Sequence, residues 1–149
     1  MHRKYAWCAA LVILVLNGVP VGAETADNDA LRKSGLLGRW AVDCSKPLAG
    51  SNPNQTYAVG TPNPTRTLSM AVKDLDGTFD LRGVKLIGNN RISFNDKKRG
   101  RAYSYNVVFE LSDNRHRSIS SVKDDGTVLI KDGKFVSSNR PTPLFEKCS

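Results

Sequence analysis

The sequence predicts an all-β fold: a small antiparallel up-and-down β-barrel of about eight short strands, preceded by a short helical turn and held by one disulfide. Three observations carry that prediction. Tyr103, Tyr105, Val107, Phe109 and Leu111 alternate at strict period two, the spacing of a strand with one buried face. Turn signals recur along the chain, at Asp74-Leu75-Asp76-Gly77, Gly88-Asn89-Asn90, Asp124-Asp125-Gly126 and Lys131-Asp132-Gly133-Lys134. Two cysteines, Cys44 and Cys148, stand near the two ends of the predicted barrel domain, residues 36–149.

Residues 1–23 read as a secretory signal, with a basic start at His2-Arg3-Lys4, an apolar run from Ala6 to Leu16 and a small-residue exit at Val21-Gly22-Ala23. Cys8 lies inside the apolar run and leaves with it. Export leaves 126 of the 149 residues, one domain with room for a core, and predicts a periplasmic or secreted protein with no membrane span after cleavage. The full chain has 22 Lys+Arg against 14 Asp+Glu; without Arg3 and Lys4 the balance is 20 against 14, a net charge of +6. Such a balance favours anionic partners in general, and the exported location argues against nucleic acid. In an oxidising compartment the two remaining cysteines pair, Cys44 with Cys148.

Residues 24–35 form a polar tether whose Ala30-Leu31-Arg32-Lys33 stretch hints at one or two helical turns, stopped by Gly35. Leu37 to Cys44 is the first strand, with Trp40 and Val42 on one face. Ser45 to Asn54 breaks into a loop long enough to lie over a barrel mouth as a lid, and Gln55 to Val59 is a short strand. After the prolines at 62 and 64, Thr65 to Val72 places Leu68, Met70 and Val72 on one side.

Phe79 and Leu81 alternate, but beyond Gly83 the apolar positions shift to Val84 and Leu86, a one-residue change of phase that predicts a β-bulge. Ile92 and Phe94 begin the next strand, and Asn95 to Arg101 reads as a charged turn. His116 to Lys123 is a polar strand with Ile119 and Val122 as its core candidates. Val128 to Ile130 and Phe135-Val136 form the last hairpin. The tail, with Pro141 and Pro143, reads as a clasp laid along the body.

Chemistry is sparse. His116 is the only histidine after signal removal, in a polar strand where a solvated or hydrogen-bonded ring is expected, and no Gly-x-Ser-x-Gly supplies a nucleophile for it to activate. Asp74, Asp76 and Gly77 echo a calcium loop without its closing glutamate. No metal site, cofactor or enzymatic activity is therefore expected, and the function classes left are binding classes. A small apolar or amphipathic ligand would be bound by Tyr103, Tyr105 and Met70, if those side chains line a space rather than fill it. Alternatively Lys97, Lys98, Arg99 and Arg101 form a basic patch meeting an acidic envelope component or protein, or simply a solvated hairpin tip. A monomer is expected in either case.

The helical lead-in followed by Gly38-Arg39-Trp40 at the first strand resembles the lipocalins and wider calycins, in which a Gly-x-Trp tryptophan plugs the closed end of an up-and-down barrel. The resemblance implies a basic residue packed on the tryptophan, for which Arg140 and Arg117 are the candidates. Trp40-Ala41-Val42-Asp43-Cys44 with the Thr142-Pro143 to Cys148 finish also resembles small exported proteins of alpha-proteobacteria, a likeness that brings no activity with it.

Overall fold

Eight antiparallel strands close into a barrel, and a two-stranded hairpin extends one wall of it. The computed structural model describes residues 25–71 and 76–149. Residues 1–23, read above as a secretory signal, lie outside the described residues, as do Val72 and the Asp74-Leu75 half of the predicted turn.

The strands are β1 (Gly38–Ala41), β2 (Asn54–Ala58), β3 (Thr65–Ser69), β4 (Gly77–Ile87), β5 (Arg91–Lys98), β6 (Ser104–Ser112), β7 (Arg115–Lys123), β8 (Val128–Lys131), β9 (Lys134–Phe135) and β10 (Phe145–Lys147). Consecutive strands pair from β1 through β9, and β10 pairs with both β1 and β7, which closes the ring. β7 thus shares one edge between two partners: Arg115 and His116 face β10, while Ser121 and Val122 face β8.

Helix α1 (Ala26–Lys33) is longer than the sequence hint because its ends are well made. The Thr25 hydroxyl caps the Asn28 amide, Asp27 and Asp29 occupy the first turn, and Arg32 and Lys33 the last, each matching the helix dipole. Its one long apolar side chain, Leu31, is buried in the core.

The predicted bulge is present in β4, where the register with β5 shifts between Arg82 and Lys85 and Gly83 takes φ +60°. Such a bulge frees backbone donors, and helix α1 supplies their acceptor: Gly83 and Val84 N–H donate to the Asp27 carboxylate at 3.0 and 2.8 Å. Asn28 is buried and exchanges hydrogen bonds with Gly60 in the β2–β3 connection. The helix is thereby pinned across one end of the barrel. Val84 is buried as expected, but Leu86, close to the Gly88 rim, is exposed.

The disulfide joins Cys44 to Cys148, tying the chain just after β1 to the chain just after β10. Three expectations need correction. The tail is not only a clasp: once past its prolines it becomes β10, the strand that seals the barrel. The charged turn is shorter than predicted, because β5 runs on through Asn95, Asp96, Lys97 and Lys98. In β7 the core positions are not Ile119 and Val122: Ser118 faces Phe109 and Ser120 faces Val108, so Ile119 is the extra residue of a second bulge and both residues are only half-buried.

Candidate functional site

The two halves of the barrel interior differ. At the helix-covered end the space is filled. Trp40 is 3% exposed, donates from Nε1 to the Leu36 carbonyl at 2.7 Å, and packs with Leu31, Leu36, Ile92 and Phe94 in one buried cluster. The basic residue over its ring is Lys147, with Nζ 5.5 Å from the ring centroid, rather than Arg140 or Arg117. Arg117 lies outside, paired with Glu110 at 2.8 Å.

His116, expected in a solvated or hydrogen-bonded setting, is fully buried among aromatic rings: Phe145 stacks on it at 5.2 Å between centroids, with Trp40 at 4.7 Å, Phe109 at 5.0 Å and Tyr57 at 5.8 Å. Neither ring nitrogen has a hydrogen-bond partner among the described residues. Burial, helped by the nearby Arg66 charge, pushes its pKa down to about 3, so the imidazole is neutral and packs as an aromatic.

Toward the opposite end a cavity of about 320 Å³ opens. Its upper wall is formed by Leu68, Met70, Tyr103 and Tyr105, and the β8–β9 hairpin contributes Leu129 and Phe135. The Tyr103 and Tyr105 rings lie edge to face at 5.5 Å. All three residues nominated for ligand contact, Met70, Tyr103 and Tyr105, border this space and are only half-buried. No residue of the loop from Ser45 to Asn54 lines it. Buried Asn52 ties that loop to itself, donating from Nδ2 to the carbonyls of Asp43, Lys46 and Pro47 at 3.0–3.1 Å. The side wall comes instead from the hairpin and from Thr142 and Pro143 of the tail. Thr142 fixes this seam, donating from Oγ1 to the Ser118 carbonyl at 2.7 Å and from its amide to Gly133 at 2.8 Å.

Between the filled half and the open half lies a charged layer. Arg66 forms an ion pair with Asp96, Nη2 to Oδ2, with the carboxylate fully buried and the arginine side chain 10% exposed. Tyr57 donates from its hydroxyl to Gln55 Oε1 at 2.6 Å. Burial raises the Tyr57 phenol and pushes Asp96 up to about 6, with Arg66 pulling the carboxylate partly back. Cross-strand register sets the layer: Tyr57 faces Arg66, Arg66 faces Phe79 and Phe79 faces Lys98, one inward row across β2, β3, β4 and β5. Both cations approach the Phe79 ring, Arg66 Cζ at 4.9 Å and Lys98 Nζ at 6.0 Å from its centroid.

The basic cluster is therefore divided. Lys98 is 8% exposed and lines the cavity, whereas Arg99 and Arg101 are exposed at the turn and Lys97 is half-buried on the outer face. Arg99 holds Asp80 at 2.8 Å.

Sequence reading missed Arg66, Asp96 and the inward course of Lys98. Parity holds the signal: 66 shares a face with 68 and 70, while 96 and 98 continue the Ile92, Phe94 face. Charge at those positions masked it. Among the described residues no group of three or more His, Cys, Asp or Glu is placed to hold a metal ion. Set against protein-family models, curated proteins and solved structures, the chain matches none. The closed eight-stranded barrel is compatible with a lipocalin-like fold.

Proposed function

We propose that this protein is an exported, non-catalytic binding protein of lipocalin-like type that holds one small apolar or amphipathic ligand in the open half of its barrel. The observation that carries this reading is the cavity of about 320 Å³ at the end away from the helix, within the range of about 300–1,000 Å³ usual for small-molecule pockets. Its combination of apolar walls with a few convergent polar groups is the common composition of such sites. The disulfide between Cys44 and Cys148 fits an oxidising compartment, and with the signal-like start supports a periplasmic or secreted location.

The surface-module alternative loses one of its four cations, because Lys98 belongs to the interior. Binding is tested with a neutral, environment-sensitive probe such as N-phenyl-1-naphthylamine and with native mass spectrometry of protein purified from its own host. Saturable one-to-one binding that Leu68→Arg abolishes is expected. A protein that carries no small molecule from its host and binds no apolar probe would overturn the reading.

A further inference from the structure

We infer that the tip of the β4–β5 hairpin is a membrane-docking site, which seats on an anionic lipid surface with Leu86 and Ile87 in the headgroup layer and Arg82, Lys85 and Arg91 facing lipid phosphates. The tip stands at the helix-covered end of the barrel, beyond the bulge amides that Asp27 holds, and contributes nothing to the cavity wall. The inference is therefore independent of the binding reading above.

The tip projects past the body of the barrel. β4 runs to Ile87 and β5 starts at Arg91, with Gly88-Asn89-Asn90 turning between them. Leu86 continues the inward row of Val84 and faces buried Ile92 across the strands, yet it is 45% exposed. Ile87, on the opposite face and beside Arg91, is 46% exposed. Successive strand residues point to opposite faces, so neither face of the tip is covered. Charge of one sign surrounds this apolar pair. Residues 82–95 hold Arg82, Lys85 and Arg91 and no Asp or Glu. All three cations are exposed, and none has an ion-pair partner among the described residues. The carboxylates of this end are engaged elsewhere: Glu110, opposite Arg91 on β6, holds Arg117, Asp27 accepts from the bulge amides and Asp29 pairs with Lys33. Asp113, in the β6–β7 turn, is offset in charge by neighbouring Arg115.

Exposure on two faces selects the partner. A folded protein laid against a strand covers one of its faces, whereas the headgroup region of a bilayer surrounds whatever enters it and takes Leu86 and Ile87 out of water together. Apolar side chains ringed by cations bind such a surface through two contributions that add, the apolar area removed from water and the attraction to anionic headgroups. The apex is polar, at Asn89 and Asn90, which holds the tip at the boundary of headgroup and acyl chain, on the order of 5–10 Å deep. Docked in this way, the helix-covered end faces lipid and the cavity faces away from it.

The test is flotation of the disulfide-bonded exported protein with vesicles of phosphatidylcholine alone and of phosphatidylcholine mixed equally with phosphatidylglycerol, at low salt. Binding to the mixed vesicles is expected to be at least about ten-fold tighter, and to weaken as salt is added. Lys85→Gln and Arg91→Gln are each expected to weaken it about five-fold, the share of one cation near an anionic surface. Leu86→Ser/Ile87→Ser is expected to weaken it at least about ten-fold while leaving the melting temperature unchanged, since both side chains are exposed. Arg99→Gln, at the far end of the barrel, is expected to bind as the parent does. Equal binding to the two vesicle compositions, or binding that survives Leu86→Ser/Ile87→Ser, would overturn the inference. Retention on immobilised polyglutamate with no vesicle binding would overturn it in favour of an acidic protein partner.

Discussion

Strand β5 crosses from the sealed half of the barrel to the open half, and its inward residues record the crossing. Ile92 and Phe94 are buried in the aromatic cluster around Trp40, while Asp96 and Lys98, at the next two inward positions, border the cavity. β5 runs on without a break from one half into the other; what changes is whether the space is packed by the protein's own side chains. In the filled half each side chain contributes stability by contact. In the open half polar and half-buried groups replace such contacts, and the stability given up there is what a guest can restore.

The comparison is broken most severely by cutting the link that holds the barrel's ends. Cys44 and Cys148 are 104 residues apart, and for a loop near that length the chain-entropy argument gives about 4.7 kcal/mol. A Cys44→Ser/Cys148→Ser double variant should lose about that much in urea unfolding. An unchanged midpoint would show that strand pairing alone holds the ends.

Next comes the filled half. Trp40→Ala should cost about 3–5 kcal/mol, since it opens a cavity under the helix and removes the ring on which Lys147 and His116 pack. Loss of less than about 1 kcal/mol would mean that this end collapses freely and is no better packed than the mouth.

His116 sharpens the contrast through pH. Its pKa of about 3 lies below the ordinary value of 6.5, so its neutral ring contributes stability that is present above pH 6.5 and lost as pH falls toward 3. By pH 4 that loss is of order 3 kcal/mol. Asp96 acts in the opposite sense, adding stability as pH falls through about 6. Comparing His116→Phe with the parent at each pH cancels the Asp96 contribution. The variant should match the parent near pH 7.5 and exceed it increasingly below pH 6.5. Parallel pH curves would place the imidazole in a solvated setting after all.

The smallest effect on stability belongs to the mouth. Tyr103→Ala and Met70→Ala remove half-buried side chains and should each cost about 1 kcal/mol or less. Both should nevertheless weaken binding of a probe that fills the cavity. A destabilisation as large as that of Trp40→Ala would mean that these residues are core rather than lining.

Much of the barrel was legible because apolar alternation and turn chemistry report backbone directly. The strand from Tyr103 to Leu111, the bulge after Gly83 and the last hairpin all follow from local pattern. The site was half legible: Met70, Tyr103 and Tyr105 could be nominated, but not the charged layer beneath them. Hydrophobic alternation is blind to a strand whose inward positions turn from Phe94 to Asp96 and Lys98, and it ended β5 too early. It likewise left His116 outside, because a lone imidazole among arginines looks solvated until the ring of Phe145 arrives from far downstream to cover it. β10 has only three residues, too few to carry any period.

That last strand has a consequence for the order of events in synthesis. β1 and the Arg115–His116 end of β7 both wait for Phe145 to Lys147, so neither margin is covered until those residues have been made and, on the exported reading, have crossed a membrane. Without β10 those two margins would present unpaired backbone groups, the kind of edge on which strands find wrong partners. Phe145 to Lys147 act as the fastener of the barrel, and a chain that stopped before them would lack the strand that joins β1 to β7.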